Sequence, residues 1–325
     1  VLLPLVPLYA AAAATKNIAY NRGWLAPQLL KWPVISVGNV SVGGSGKTPL
    51  VIALAKLLKQ QAVHVDVLSR GYGRSSNTVE RVDLLGSFER YGDEPLLIAQ
   101  SADVPVYVGA NRYDAGILAE SEHSLEGIHL LDDGFQHRML DRAVDIVLVH
   151  RSDFEEVLLP AGRLREPVSS LKRASVLVLR EEDGELEQKL KERRIEKPVW
   201  RIKRSIEVPA GQNNAIAFCG IARPEEFFEM LRRHGVNVVH ERSFRDHHWY
   251  SDADVRQLIQ LGREYAPDMF LTTEKDLVRL SPAQKKSLDS AVPLRAVKLT
   301  VEFCNEAAAL RDLRALLPSG FDQVL

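Results

Sequence analysis

From residue 32 onward, short apolar runs alternate with stretches whose apolar positions recur at helical spacing. The runs at 34–37, 63–68, 104–108, 128–131, 146–149 and 176–179 read as strands, and 49–58, 95–101 and 113–122 as helices among them. Continuous apolar runs separated by helices suit a parallel sheet covered on both faces, so this stretch is expected to form one doubly wound domain. A charged segment at 181–197 interrupts the pattern. Beyond it, 199–204 alternates apolar and basic residues like an exposed strand, 294–301 does the same, and the two are expected to pair as a ribbon. Between them, strands at 215–219, 236–240 and 269–272 with helices at 224–234 and 252–265 make a smaller α/β unit, and a helix at 305–317 returns to the first domain. The expected division is an N-terminal segment at 1–30, a larger domain of 31–198 with 303–325, a two-stranded linker of 199–208 and 294–302, and a smaller domain at 209–293.

The N-terminal segment has its own pattern. Residues 1–14 are almost wholly apolar but contain Pro4 and Pro7, and they fall short of the ~20 residues a spanning helix needs. Downstream, Lys16, Arg22 and Lys31 are interleaved with Tyr9, Tyr20, Trp24 and Trp32, the mixture of cations and amphipathic rings found at a membrane surface. The segment is expected to dock on a membrane rather than cross it; the alternative is a helix packing its apolar side on the core. No charged stretch precedes the apolar one, which disfavours a secretory signal.

Composition narrows the function classes. A chain of 325 residues with 46% hydrophobic content can bury the cores of two domains. Its net charge of -1 supplies no basic field for a nucleic-acid backbone, so no nucleic-acid partner is expected. Cys219 and Cys304 are too few for a disulfide framework and lack metal-ligand spacing, which suits a reducing compartment.

The chemistry enters with Ser41-Val42-Gly43-Gly44-Ser45-Gly46-Lys47-Thr48, between a strand and a helix. In a P-loop, small residues let backbone N–H groups turn around phosphate oxygens, Lys neutralises the outer phosphates and Ser or Thr holds magnesium. A nucleotide, ATP as first choice, with Mg2+ is thus the expected cofactor, and the fold class is P-loop NTPase-like; the loop alone leaves an ATPase, a GTPase and a kinase open. Ser41 occupies a position where the strict pattern has Gly. A second acidic metal ligand usually ends a neighbouring apolar strand; Asp132 is the first candidate, and Asp133 could orient a metal-bound water. The Asn-Lys-x-Asp segment of guanine recognition is missing from the sequence. A kinase also needs a group to take the acceptor's proton, for which Asp93 and Glu94 are placed in a loop opening a helix, where they could equally be an acidic N-terminal cap.

Val37-Gly38-Asn39 ahead of the glycine loop, Gly92-Asp93-Glu94-Pro95 and Asp132-Asp133-Gly134-Phe135-Gln136-His137 together resemble the tetraacyldisaccharide 4'-kinase family. Leu68-Ser69-Arg70-Gly71-Tyr72, Leu164-Arg165-Glu166-Pro167, Phe218-Cys219-Gly220, Phe244-Arg245-Asp246-His247 and Lys275-Asp276-Leu277 extend the match in order along the chain. The resemblance implies transfer of the ATP γ-phosphate to the 4'-hydroxyl of an acylated glucosamine disaccharide 1-phosphate in lipid A biosynthesis, by a monomer at the cytoplasmic face of the bacterial inner membrane. It implies Asp93 as base with His247 as partner, Lys47 as catalytic cation, and Glu94, Glu166, Asp132 and Asp133 with Thr48 near the magnesium. Arg70, Tyr72, Arg112, Gln136, His137 and Arg165 match the acceptor-binding positions. Asp93 and His247 fall in different expected domains, so their pairing implies closure of one domain on the other. Arg163 departs from the family pattern, which expects an uncharged residue there. The rival readings are a soluble ligase or small-molecule kinase on the same fold, and a nucleotide-gated membrane adaptor.

Overall fold

The computed structural model describes residues 2–44, 46–209 and 214–320; of the expected site positions, Ser45 lies outside the described residues. Strands β1 (Val34–Gly38), β2 (His64–Ser69), β3 (Glu80–Arg81), β4 (Val106–Val108), β5 (Gly127–Asp132), β6 (Val144–Leu148), β7 (Val176–Arg180), β8 (Val199–Glu207), β9 (Asn214–Cys219), β10 (Asn237–Ser243), β11 (Met269–Thr273) and β12 (Leu294–Phe303) follow in order. They form one sheet of twelve strands in the order β10-β9-β11-β12-β8-β7-β6-β1-β5-β2-β4-β3. Pairing is parallel throughout except at β8 with β12 and at the short β3 with β4.

The register of the antiparallel joint positions everything else. The last residue of β7, Arg180, pairs with Ile202, and β8 then runs on to Glu207 opposite Lys298 of β12. Farther along, β12 pairs with β11 as far as Val297 opposite Thr273. The second half-sheet is therefore offset end to end from the first and runs the opposite way. Consequently the carboxyl ends of β9, β10 and β11 face those of β1, β2 and β5 across a cleft, where loops carry chemistry in α/β folds.

The main core forms around the helix Lys47–Gln60, whose Leu50, Val51, Leu54, Leu57 and Leu58 are buried at helical spacing, each stabilising the fold by about 1.5–3 kcal/mol. The last helix, Glu306–Leu316, adds Ala309 and Leu313 to the same core, and its Asp312 accepts a 3.0 Å hydrogen bond from Trp200 Nε1. That helix explains why β8 is not the exposed strand its basic residues suggest: one face is covered, leaving Trp200 and Ile202 buried. The charged segment contains a helix, Glu185–Glu192, whose Leu186 and Leu190 bury one narrow stripe.

The N-terminal helix Val6–Asn21 fully buries none of its residues; Val6, Tyr9, Ala10, Ala13, Asn17 and Tyr20 along one side are half-buried, so it rests on the surface of the domain rather than entering a core. Polar contacts hold it: Tyr9 Oη donates to the Arg165 carbonyl at 3.0 Å, Lys16 Nζ to the Gln136 carbonyl at 3.2 Å and Asn17 Nδ2 to Glu166 at 2.9 Å. Leu3, Leu8 and Trp24 remain 64%, 69% and 66% exposed. No helix among the described residues is long and apolar enough to cross a membrane.

At the amino ends of β2 and β5, away from the cleft, His129 stacks on Trp32 and contacts Asp66 Oδ1 at 2.7 Å and Glu120 Oε1 at 3.5 Å. Burial opposes its charge, but the two carboxylates raise its pKa to about 9. A folded-state pKa above the unfolded value of about 6.5 means stability fully present below that pH and lost as pH climbs through the folded value, on the order of 3 kcal/mol. Urea unfolding between pH 6 and 10 is expected to show this decline in the native chain and a shallower one in His129→Gln. Identical slopes would remove His129 as its source.

Candidate active site

The chain leaves β1 at Gly38 and enters the P-loop. Ser41 is bridged antiparallel to Leu164, and Val42 N donates to the Arg163 carbonyl at 2.8 Å. Ser41 therefore enters as extended backbone, and its Cβ costs nothing. The left-handed positions fall on Gly43, Gly44 and Gly46, with φ of 72°, 56° and 93°. A Cβ on Gly43 would come within 2.8 Å of Ala222 Cβ, because the turn after β9 lies directly over the loop. Lys47 Nζ donates to Asn39 Oδ1 at 2.9 Å and pairs with Asp133 Oδ1 at 3.3 Å. Thr48, in the first turn of the following helix, is nearly buried.

Asp132 ends β5 beside this loop and accepts from Ser69 Oγ at 3.3 Å. Burial, with Glu94 and Asp133 nearby, pushes its pKa up to about 7; a cation there would relieve that repulsion. Asp133 follows in the left-handed region at φ 51°. Burial opposes its ionisation, but Lys47 and Arg165, the latter 2.7 Å from Oδ2, hold it at about 2. The four carboxylates expected near magnesium do not converge as one ligand set: among the described residues no three His, Cys, Asp or Glu side chains do so. Glu94 is taken by Lys275 Nζ at 2.8 Å. Glu166 is taken by Arg173 at 2.7 Å and by Asn17.

Asp93 opens the helix Asp93–Ala102 and is 4% exposed. Its Oδ1 accepts from the Glu94 amide at 2.9 Å. From across the cleft, His247 Nδ1 lies 3.0 Å from Oδ2, and Arg279 Nε and Nη2 lie 2.7 and 2.6 Å from the same oxygen. Burial favours the neutral acid, yet Lys275, His247 and Arg279 hold this carboxyl far below the usual range. His247 has φ 56°, a conformation of order 1 kcal/mol or more above the favoured regions that persists when surroundings fix it. Its ring packs 5.1 Å from that of the exposed Tyr72. Tyr72, Phe88 and Trp249 line a slot that also touches Asp93 and His247.

The other acceptor candidates divide. Gln136 Nε2 donates to the Asn39 carbonyl at 2.8 Å, and its Oε1 accepts from Arg165 at 3.3 Å, so both brace the P-loop and Asp133. Arg70, Arg112 and His137 instead crowd one another. Burial and then Arg70 lower Arg112 to about 10, and burial with Arg112, Arg142, Lys16 and Arg70 lowers His137 to about 3. Arg112 Nε and His137 Nε2 are buried without a hydrogen-bond partner, a cationic corner suited to an anion.

A family model described as tetraacyldisaccharide-1-P 4'-kinase matches residues 1–318. The chain belongs to the tetraacyldisaccharide 4'-kinase family. It is 44% identical over 321 residues to the tetraacyldisaccharide 4'-kinase of Koribacter versatilis, covering 95% of this chain and 97% of that one. It is 38% identical over 296 residues to that of Aquifex aeolicus, covering 86% and 89%. The crystal structure of LpxK from Aquifex aeolicus in complex with ATP superposes with a TM-score of 0.77 at 35% identity, covering 98% of both chains. The kinase-family motifs include Lys275 and Asp276 but gave no role to Arg279. A signal was available: Thr273 accepts from the Asp276 amide as an N-cap, and Thr-x-x-Asp before an apolar residue is a helix start. That helix, Glu274–Arg279, sets Asp276 and Arg279 on one face.

Proposed function

We propose that this chain transfers the γ-phosphate of ATP to the 4'-hydroxyl of a tetraacylated glucosamine disaccharide 1-phosphate, docked at the cytoplasmic face of a bacterial inner membrane. In this reading the half-sheet with the P-loop is the kinase domain, the other half the smaller domain, and β8 with β12 the linker. The observation that carries it is the contact of Asp93 with His247 across the cleft, next to a cavity that the P-loop residues Gly46, Lys47 and Thr48 share with the adjoining Glu94 and Asp246.

The P-loop amides and Lys47 hold the phosphates. Thr48 and Asp132 would hold Mg2+, which when bound with ATP would neutralise charge on the transferring phosphate oxygens. Asp93 takes the proton of the acceptor hydroxyl as its oxygen bonds to the γ-phosphorus and the bond to the ADP oxygen breaks; His247 orients the carboxylate. Arg70 and Arg112, beside a neutral His137, offer the cationic corner for the 1-phosphate, and Tyr72 lines the way in.

Incubation with γ-labelled ATP and the acylated disaccharide 1-phosphate in mixed micelles is expected to move label into the lipid. Label that stays in ATP or appears only as free phosphate would sink the reading. The exposed Leu3 and Leu8 supply the docking surface. Burying each is worth about 1.5–3 kcal/mol, so Leu3→Glu with Leu8→Glu is expected to weaken binding to phospholipid vesicles by about a hundredfold or more without changing ATP binding. Vesicle flotation equal to that of the unaltered chain would remove the docking role.

A further inference from the structure

Arg279 is 2% exposed, and burying a guanidinium costs several kcal/mol unless every donor is met. Of its three nitrogens, Nε donates to Asp93 Oδ2 at 2.7 Å, and Nη2 lies 2.6 Å from the same oxygen as an ion pair. The third, Nη1, donates to the Gly220 carbonyl at 2.7 Å and to Asp276 Oδ1 at 3.1 Å. Asp276 is fixed in turn by Tyr250 Oη, the Gly220 amide and Thr273 Oγ1, at 2.9, 2.8 and 2.6 Å. The Gly220 carbonyl also accepts from the His247 amide at 3.1 Å. From Gly220 the chain passes into Ala222 and Arg223, which lie against Gly43 and Gly44 of the P-loop. One planar side chain thus joins the Asp93 carboxylate, the backbone that presents His247, and the turn lying over the phosphate loop.

We infer that Arg279 is a positioning residue: it fixes Asp93 from across the cleft and ties that carboxylate to the turn over the P-loop, so that the base is aligned only when the nucleotide side is closed. The inference rests on the reading of Asp93 as the base. Because Arg279 and His247 both occupy Oδ2, while among the described residues Oδ1 meets only the Glu94 amide, Oδ1 keeps a lone pair for the acceptor's proton. Lysine cannot reproduce the fork, since it offers one nitrogen where three are used.

The test compares Arg279→Gln, Arg279→Lys, Asp93→Asn and the double variant Asp93→Asn/Arg279→Gln in the full chain, with thermal melts to confirm folding. Misplacing a reacting group can cost about a hundredfold. Arg279→Gln is therefore expected to lower kcat by about ten- to a hundredfold with the KM for ATP and acceptor unchanged, Arg279→Lys to restore part of the loss, and the double variant to be no slower than Asp93→Asn alone. Full kcat in folded Arg279→Gln beside an inactive Asp93→Asn would overturn the positioning role and leave the base reading intact. Losses in the double variant that multiply would show Arg279 acting elsewhere than through Asp93, and overturn it also. Full transfer by Asp93→Asn would remove the base itself.

Discussion

Asp93→Asn is expected to lower kcat by about 10²- to 10⁴-fold, the usual contribution of a positioned general base, with ATP affinity unchanged. The amide keeps the shape of the side chain and one oxygen for Arg279, but it cannot take a proton. Substitution also removes one of the two carboxylates that neutralise the buried Arg279, leaving Asp276; breaking a buried pair outright costs about 3–5 kcal/mol, which sets the upper end of the loss. The melting temperature should therefore fall as well, and the two effects separate cleanly: a stability loss reduces the amount of active enzyme, whereas loss of the base lowers turnover per folded molecule. Active-site titration with a slowly exchanging ATP analogue beside steady-state kinetics measures both. Turnover per site equal to that of the unaltered chain would exclude Asp93 as base.

Lys47→Met is expected to reduce kcat by about 10²- to 10³-fold, the cost of removing one preorganised group that stabilises transition-state charge, and to weaken ATP binding too. Asn39 and Asp133 hold the ammonium at the loop, so it meets the phosphates already placed. Asp133 remains paired with Arg165 when Lys47 is removed, so the substitution should leave the fold intact. Lys47→Arg is expected to rescue poorly, because the contact with Asn39 fits a compact point charge and not a planar fork. Steady-state kinetics with calorimetric ATP binding checks this; a kcat near that of the unaltered chain would contradict it.

Much of the architecture was legible because the first half-sheet is built from runs buried on both faces, which no amphipathic helix imitates: β1, β5 and β7 fall where the apolar runs 34–37, 128–131 and 176–179 lie. The glycine loop was legible for a local reason, since backbone turning around phosphate demands small residues in sequence. The resemblance gave one contact across the cleft, Asp93 with His247; what sequence hid was the second, from Arg279. The Thr273-x-x-Asp276 helix start sets Arg279 on the face of Asp276, but nothing adjacent marks that face as buried; its burial follows from β11 facing Asp93, and that follows from the strand register. Glu166 was legible only as part of a motif. Its neighbours resemble a site motif, but its carboxylate is spent on Arg173 and on the N-terminal helix.

The antiparallel joint also sets a dimension. Between the residue of β8 opposite the end of β7 and the point level with the end of β11 lie about six residues, or roughly 20 Å of strand. The ribbon is a ruler: its length fixes how far apart the two carboxyl edges stand, hence how large a pair of reactants fits between the phosphate loop and the groups that descend on Asp93. Lengthening both strands by two residues would keep every side chain on its own face yet separate those edges by about 7 Å, beyond the reach of any side chain that now bridges them.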